Sequence, residues 1–397
     1  MSESLPQKLR TELARHPNLA RLASQALDTK LSASAWLHSA ARHAASERAF
    51  SLSGQLRGRV PLTALYVGDP VFVHDLDQLL FASRASIAEL GRASADRLRR
   101  SGTDLVITEA WPSETSDDPR RPIVQPWLES RCEPKTTYAT YLRDHVSENA
   151  RRSLRKAQDK GFTLRWEPAE EFAVRFLREV SASMARRLYG DESVIGAPER
   201  ILDWRGRSNR IETLIVESST GEPLGGAVLV HFELRREVML HSYGLHLPAL
   251  DDRKLRAEVT AAVNAAVFEA ACEKGFAVNL GQTRPFLDDG VFNHKRQWGC
   301  HLTPVVRQPR FRFEMVTARW CFLGAAPLAV LGSDGVRGIS SFDPSEEMTP
   351  KLLSDRLGGW VCDGLKGIEV VMPVGLPVGS LSAVTQVKGC PVSFAHE

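Results

Sequence analysis

LGGAVLVHFELRREVMLHSY, residues 224–243, is followed closely by LRAEVTAAVNAAVFEAACEKGFAVNL, residues 255–280. The first segment holds two apolar runs, Leu224 to Leu234 and Val238 to Tyr243. Arg235 and Arg236 separate them, as in a tight hairpin. In the second segment Leu255, Val259, Val263, Val267 and Ala271 recur at helical spacing, which predicts a helix over 255–274. Gly275 supplies its stop, and Phe276 to Leu280 is the next strand. Strand, helix, strand in this order implies a right-handed crossover, so 238–243 and 276–280 are expected to lie parallel in one sheet.

Working outward, the pattern predicts a helix over 138–160 stopped by Gly161, a strand over 162–166, a helix over 170–188 and a strand over 211–217. After 280 come a short helix over 291–297 and strand-like alternation from Leu302 to Phe313. Strands in a meander followed by a strand–helix–strand unit define an α+β fold with a mixed sheet. Nearer the N-terminus, residues 1–47 read as short helices broken at His16-Pro17. Ala49 to Leu52, Leu62 to Val67 and Leu105 to Thr108 read as strands, 75–100 as a long helix, and 112–122 as an exposed loop. From 320 to 331 the chain is apolar, suiting a buried strand or helix, and 364–389 is rich in Gly, Val and Pro. The expected divisions are 1–47, a helical segment; 48–135; 136–316; and 317–397, an irregular appendix.

Composition narrows the class of protein. Over 397 residues, 43% are hydrophobic and 25% charged, a globular balance. A net charge of +3 rules out a polycation, so any nucleic-acid contact needs a local basic face. The six cysteines form no CxxC pair, which excludes the usual zinc spacing and a dense disulfide framework. The histidines do not cluster at ligand spacing, and no metal is expected. No apolar run is long enough to span a bilayer as a helix, and nothing resembles a secretory signal, so a cytoplasmic protein without a transmembrane segment is expected. Phosphate-binding loops, GxGxxG, GxSxG and HExxH are all missing.

Three segments carry a family resemblance. One is Asn149-Ala150-Arg151-Arg152-Ser153-Leu154-Arg155-Lys156-Ala157, continued by Lys160-Gly161-Phe162. Another is Gly221-Glu222-Pro223-Leu224-Gly225-Gly226-Ala227. The third is Gly275 to Arg284, followed by Gly290-Val291-Phe292-Asn293-His294-Lys295-Arg296-Gln297-Trp298-Gly299. In this order they resemble the GNAT-superfamily acyltransferases of the Fem-like and CelD-like (cellulose-associated acetyltransferase) group, across residues 136 to 310. The resemblance implies a GNAT-like fold with two lobes, a diverged one over 48–135 and a catalytic one over 136–316. It implies transfer of an acyl group from an acyl-CoA-like thioester to an amine or hydroxyl of a sugar, lipid or small metabolite, with no tightly bound cofactor. In the Fem branch the donor is aminoacyl-tRNA, which would make tRNA a partner. A non-catalytic RNA- or partner-binding scaffold is a third reading. One departure stands out. Ordinary members carry a glycine loop before the long helix, where backbone N–H groups hold the CoA pyrophosphate. Here Leu247 to Lys254 has no glycine and carries Asp251 and Asp252, with Arg253, Lys254 and Arg256 as the compensating cations.

The candidate site follows from these segments. Lys295 would stabilise charge on a tetrahedral intermediate or hold a donor phosphate, with Arg296 and Trp298 beside it. Gln282 and Arg284 follow a strand end, where ligands bind in such sheets. Arg284 equally suits a surface pair with Asp288 or Asp289. His241 and Tyr243, two apart on one strand, suit proton transfer or plain sheet packing. Arg152, Arg155 and Lys156, with Arg151 and Lys160, fit a phosphate or tRNA-backbone contact, or a solvated helix face whose cations complement the macrodipole.

Overall fold

The structure, a computed structural model, describes residues 49–56, 60–67, 86–89, 105–111, 113–189, 197–205, 209–247, 249–305, 308–315, 323–324, 326–342, 346–372 and 377–396. The helices expected over 1–47 lie outside them, as does most of the helix expected over 75–100. The chain divides into two compact units, residues 1–128, 283–292 and 302–397, and residues 129–282 and 293–301.

The first unit opens with β1 (Ala49–Leu56) and β2 (Val60–Val67), an antiparallel pair in the register Ala49↔Val67. β3 (Ser86–Glu89) pairs with β1, so the described part of the 75–100 stretch is strand rather than helix. Backbone pairing to β1 outweighs the helical spacing of Ile87. β4 (Leu105–Ala110) runs parallel to β2, and β5 (Ile123–Val124) is short and buried.

The second unit holds most of the 136–316 stretch. After β6 (Leu128–Cys132) come α1 (Tyr138–Asp144) and α2 (Glu148–Asp159). The single helix expected over 138–160 is therefore two. The Ser147 hydroxyl accepts from Ala150 N (3.3 Å), and a new N-cap starts α2 where α1 ends. Gly161 sits at φ +69°, the left-handed stop expected of it. Then follow β7 (Thr163–Glu167), α3 (Glu170–Phe176), a π-helical segment (Leu177–Ser181), α4 (Ala182–Tyr189), a 3-10 turn (Pro198–Trp204) and β8 (Asn209–Glu217). β9 (Pro223–Phe232), β10 (Glu237–Leu245), α5 (Arg253–Lys274), β11 (Ala277–Thr283), α6 (Gly290–Arg296) and β12 (His301–Pro304) complete the run.

The strand order is β12-β6-β11-β10-β9-β8-β7. β7 to β10 form the antiparallel meander, and β10 and β11 are parallel, joined through α5. This is the meander followed by a parallel crossover that the sequence predicts. One face of the sheet packs Ile211, Ile215, Val228, Val230 and Phe232 against Phe176 and Leu177. The other is covered by α5, which lies between the sheet and α2 and buries Val259, Val263, Val267, Phe268 and its alanines. Burial on both flanks corrects the one-sided helix read from 255–274.

β13 (Arg310–Met315) returns to the first unit, pairing with β4 and β5, which gives the order β3-β1-β2-β4-β13-β5. The alternation read from 302 to 313 thus belongs to two strands, β12 and β13, in different sheets. A further correction concerns 317–397. Instead of an irregular appendix, β14 (Leu328–Gly332), β15 (Gly335–Ser340), α7 (Pro350–Gly358), β16 (Ile368–Met372), β17 (Gln386–Val387) and β18 (Cys390–His396) build a five-stranded sheet in the order β14-β15-β16-β18-β17. β14 falls in the apolar 320–331 run, whereas Arg337 interrupts β15, Glu369 interrupts β16 and Pro391 interrupts β18, so no strand period marks these segments in the sequence. Among the described residues no helix is long and apolar enough to cross a membrane.

Candidate active site

β10 and β11 pair over only three positions, Glu237↔Ala277 to Met239↔Asn279, although both strands continue. Beyond Met239 they part. At that point β10 carries a β-bulge, its pairing to β9 shifting between Leu240 and Ser242 around His241. Bulges re-aim side chains and release backbone groups from pairing. The bulge also breaks the alternation that would have put His241 and Tyr243 on one face by spacing alone.

β11 ends in a built turn. Gly281 is at φ +77°, a conformation that favours glycine, and its N–H donates to Asn279 Oδ1 (2.8 Å). Asn279 is itself buried and donates to Glu129 Oε1 (2.7 Å). The turn leaves the Gln282 carbonyl accepting from Lys295 Nζ at 2.7 Å. Lys295 is thus held at the carboxyl end of β11, and it is 7% exposed rather than an open surface lysine. The Gln282 side chain is exposed.

A second cluster adjoins Lys295 through its chain neighbour His294. Tyr243 Oη donates to Asn264 Oδ1, and Asn264 Nδ2 lies 3.1 Å from His294 Nε2. The Tyr243 and His294 rings meet edge to face, with centroids 6.4 Å apart. Burial, reinforced by the Lys295 charge, pushes the His294 imidazole down to about 4. Burial raises the Tyr243 phenol, against the lowering effect of its bond to Asn264. His241 is lowered by burial, so it is neutral at pH 7.

The other candidates are placed differently. Trp298, expected beside the ligand, is 1% exposed and stacks on Phe268 at 5.4 Å, which stacks on Tyr141 at 5.1 Å. Its carbonyl accepts from Tyr141 Oη (2.7 Å), so its role is in the core, which corrects its assignment to binding. Gly299, at φ +73°, leaves no room for a side chain beside His145 and Tyr141. Arg296 is half-buried, and its Nη2 donates to Asn293 Oδ1 (3.2 Å). Arg284 is exposed in the first unit. Of the two surface partners expected for it, Asp288 and Asp289, Asp289 caps α6, accepting from Val291 N and Phe292 N. Arg152, Arg155 and Lys156 lie on the exposed face of α2, with Arg155 bound to Glu148 (2.6 Å).

Two features bear on cofactors. No group of three metal-ligating side chains occurs among the described residues. The N-terminus of α5, where the glycine loop would hold a pyrophosphate, is closed by the chain itself. Asp252 Oδ1 accepts from Lys254 N (2.7 Å) and Leu255 N (3.2 Å), and those bonds hold its carboxyl below the usual range. Asp251 pairs with Arg187.

Sequence reasoning passed over Asn264, His294 and Asn279. Asn264 carries a signal, a lone amide inside the apolar run AAVNAAVF. Such a group, when buried, must find hydrogen-bond partners.

No protein-family model matches the sequence, and comparison with curated proteins finds no match. Among solved structures, the C-terminal domain of a putative lysylphosphatidylglycerol synthetase from Agrobacterium fabrum is similar at 13% identity and a TM-score of 0.31, over 77% of this chain and 92% of that one. L-PGS from Bacillus licheniformis is similar at 11% identity and 0.31, over 67% and 80%. FemX is similar at 13% identity and 0.36, over 66% and 83%. Likenesses of this size assign no activity to the chain.

Proposed function

We propose that the second unit is an acyltransferase, moving an acyl group from an activated donor to an amine or hydroxyl. The observation that carries the reading is the parting of β10 and β11 at the His241 bulge, with the Lys295 ammonium fixed at the carboxyl end of β11. The edge of β10 facing the gap has no β11 partner beyond Met239, and unpaired backbone groups of this kind receive an extended, amide-bearing chain by strand addition. A pantetheine-like donor arm is such a chain. With its carbonyl beside Lys295, the acceptor nitrogen or oxygen attacks the carbonyl carbon and the carbonyl oxygen becomes negative. The adduct then collapses, the bond to the thiol sulfur breaks, and the thiolate leaves. The acceptor's proton passes to His241, which burial keeps neutral and able to accept it. Lys295 offsets the negative charge in a partly desolvated setting, where it counts for more than in water. The acceptor fits the class of a sugar, lipid or small-metabolite amine or hydroxyl.

A second donor is favoured by one observation. Asp252 occupies the α5 N-terminus, so a nucleotide diphosphate finds a carboxylate where N–H groups would receive it. Aminoacyl-tRNA needs no such pocket, and the exposed cations of α2 suit a phosphate backbone. The experiment is thermal shift with acetyl-CoA, longer acyl-CoAs and charged tRNA, followed by mass-spectrometric detection of acyl transfer. A rise in Tm with acyl-CoA supports the thioester donor, and one with charged tRNA supports the alternative. No shift and no transfer with either would overturn the enzymatic reading in favour of a binding scaffold.

A further inference from the structure

The Tyr243–Asn264–His294 chain has a property that follows from hydrogen-bond chemistry alone. The three groups come from three elements, β10, α5 and α6, and meet on the α5 side of the sheet. Asn264 is 0% exposed, so both ends of its amide must find partners inside the protein. A carbonyl oxygen can only accept, so Oδ1 takes the Tyr243 proton. An amide nitrogen can only donate, so His294 Nε2 must accept with its lone pair. The imidazole then carries its proton on Nδ1. Each link fixes the sense of the next, and the chain can reverse only if the Asn264 amide turns over.

We infer that Asn264 and His294 are positioning residues that hold the Tyr243 phenol with its proton turned inward, so that its oxygen lone pairs receive one N–H of an amine acceptor, whose other proton is the one that passes to His241. Tyr243 lies beyond the bulge, on the part of β10 that β11 no longer pairs. A phenol whose proton is committed to Asn264 is an acceptor towards any further neighbour. It would orient a nucleophile's hydrogen while leaving the nucleophile's lone pair free for the carbonyl. The charged neighbour of the chain is Lys295, which adjoins His294 and favours its neutral form. This inference rests on the acyl-transfer reading and adds the group that aligns the acceptor.

Two measurements test it. In wild-type protein, nitrogen-15 NMR of His294, assigned with His294→Gln, should report the Nδ1–H tautomer at pH 7. An Nε2–H tautomer would mean the amide faces the other way and would overturn the inference. In acyl transfer, Tyr243→Phe and Asn264→Leu should each lower kcat/KM for the acceptor by about ten- to a hundredfold, with KM for the donor unchanged. The double variant should be no worse than Tyr243→Phe alone, because the chain acts through one phenol. Losses that multiply, or that fall on donor KM, would show Asn264 serving structure only. If wild-type protein transfers no acyl group, the proposed function fails, while the tautomer still decides the sense of the chain.

Discussion

Lys295 shows how a residue's surroundings change what its substitution should do. A lysine on an open cleft surface would lose little stability on substitution. In the structure Lys295 is 7% exposed and bonded to the Gln282 carbonyl. Lys295→Met keeps the stem and removes the charge. Turnover should fall about ten- to a thousandfold, the range for one electrostatic contact. Stability should move by no more than about 2 kcal/mol, since a lost charged hydrogen bond is partly offset by relief of a buried charge. Full activity in Lys295→Met, with its authentic donor and acceptor, would remove Lys295 from the site. His294 gives a second expectation. Its imidazole is held at about 4 in the folded protein, below the ordinary 6.5. As pH falls through 6.5 the unfolded chain takes up this proton first. Stability is therefore full above the ordinary value and declines down to about 4, by at most about 3 kcal/mol. Denaturant midpoints measured from pH 7 to 4 should slope less in His294→Gln than in wild type, and equal slopes would refute the shift. Gln282, His241 and Tyr243 were legible as candidates because each follows or lies on a strand near the crossover, and Lys295 because the phrase around it resembles the family's lysine motif. Asn264 and His294 were not, because the contact that pairs them spans 30 positions of sequence. Trp298 was misread because an aromatic beside a candidate lysine looks the same in sequence whether it lines a pocket or a core.

At the scale of elements, the strands and helices of the second unit were readable where local signals agree. The meander, α5 and β11 fall close to their expected spans, with Gly161 and Gly275 at positive φ as helix stops. Errors occurred where a cap or a tertiary partner overrode periodicity, as at Ser147 between α1 and α2 and at β3 against β1. The Gly225-Gly226 pair also has a physical reason beyond motif. Gly226 stands opposite Gly244 on β10, and a Cβ at Gly226 would approach the Leu214 carbonyl oxygen to 2.0 Å. Gly226→Ala should therefore lower Tm measurably or prevent folding, as overpacking against backbone does. A wild-type Tm in that variant would contradict the close approach. The N-terminus of α5 carries a different expectation. Asp252→Ser keeps a capping oxygen and removes the charge. If Asp252 excludes a diphosphate, calorimetry should find CoA binding tighter in Asp252→Ser than in wild type. Weaker binding in the variant would show that the carboxylate is not what keeps this helix end from phosphate.

At the scale of the whole chain, the pairings that matter most join distant segments, and no local pattern encodes them. β6, from 128–132, lies between β12 and β11, while β13, from 310–315, pairs with β4 from 105–110. Phe311 and Phe313 are fully buried in β13, a signal for a strand but not for which sheet receives it. The C-terminal sheet was the largest misreading, for a related reason. Ile368–Met372 is only five residues and is interrupted by Glu369, and its neighbours β15 and β18 are both parallel to it. Parallel strands need crossovers, so turn signals do not announce them. β18 is the strand on which this sheet depends. It pairs with β16 at five positions, Ile368↔Val392 to Met372↔His396, and it alone links β17 to the rest. A chain ending at Gly389 would leave one edge of β16 unpaired, with Val370 and Val371, each 1% exposed, at its centre. Unpaired N–H groups in an apolar setting are costly, and exposed apolar edges invite association. Hydrogen exchange should therefore be fast at Ile368–Met372 in the shortened chain and slow in the full one, with self-association of the shortened chain in sedimentation. Because truncation can abolish folding outright, Val370→Asp supplies the milder form. It places a carboxylate in the same sheet without removing a strand, and it should lower Tm and accelerate exchange along β16 first. Equal exchange at Ile368–Met372 in all three proteins would mean that β18 and Val370 do not hold this sheet together, and the residues after 317 would return to the status of an appendix.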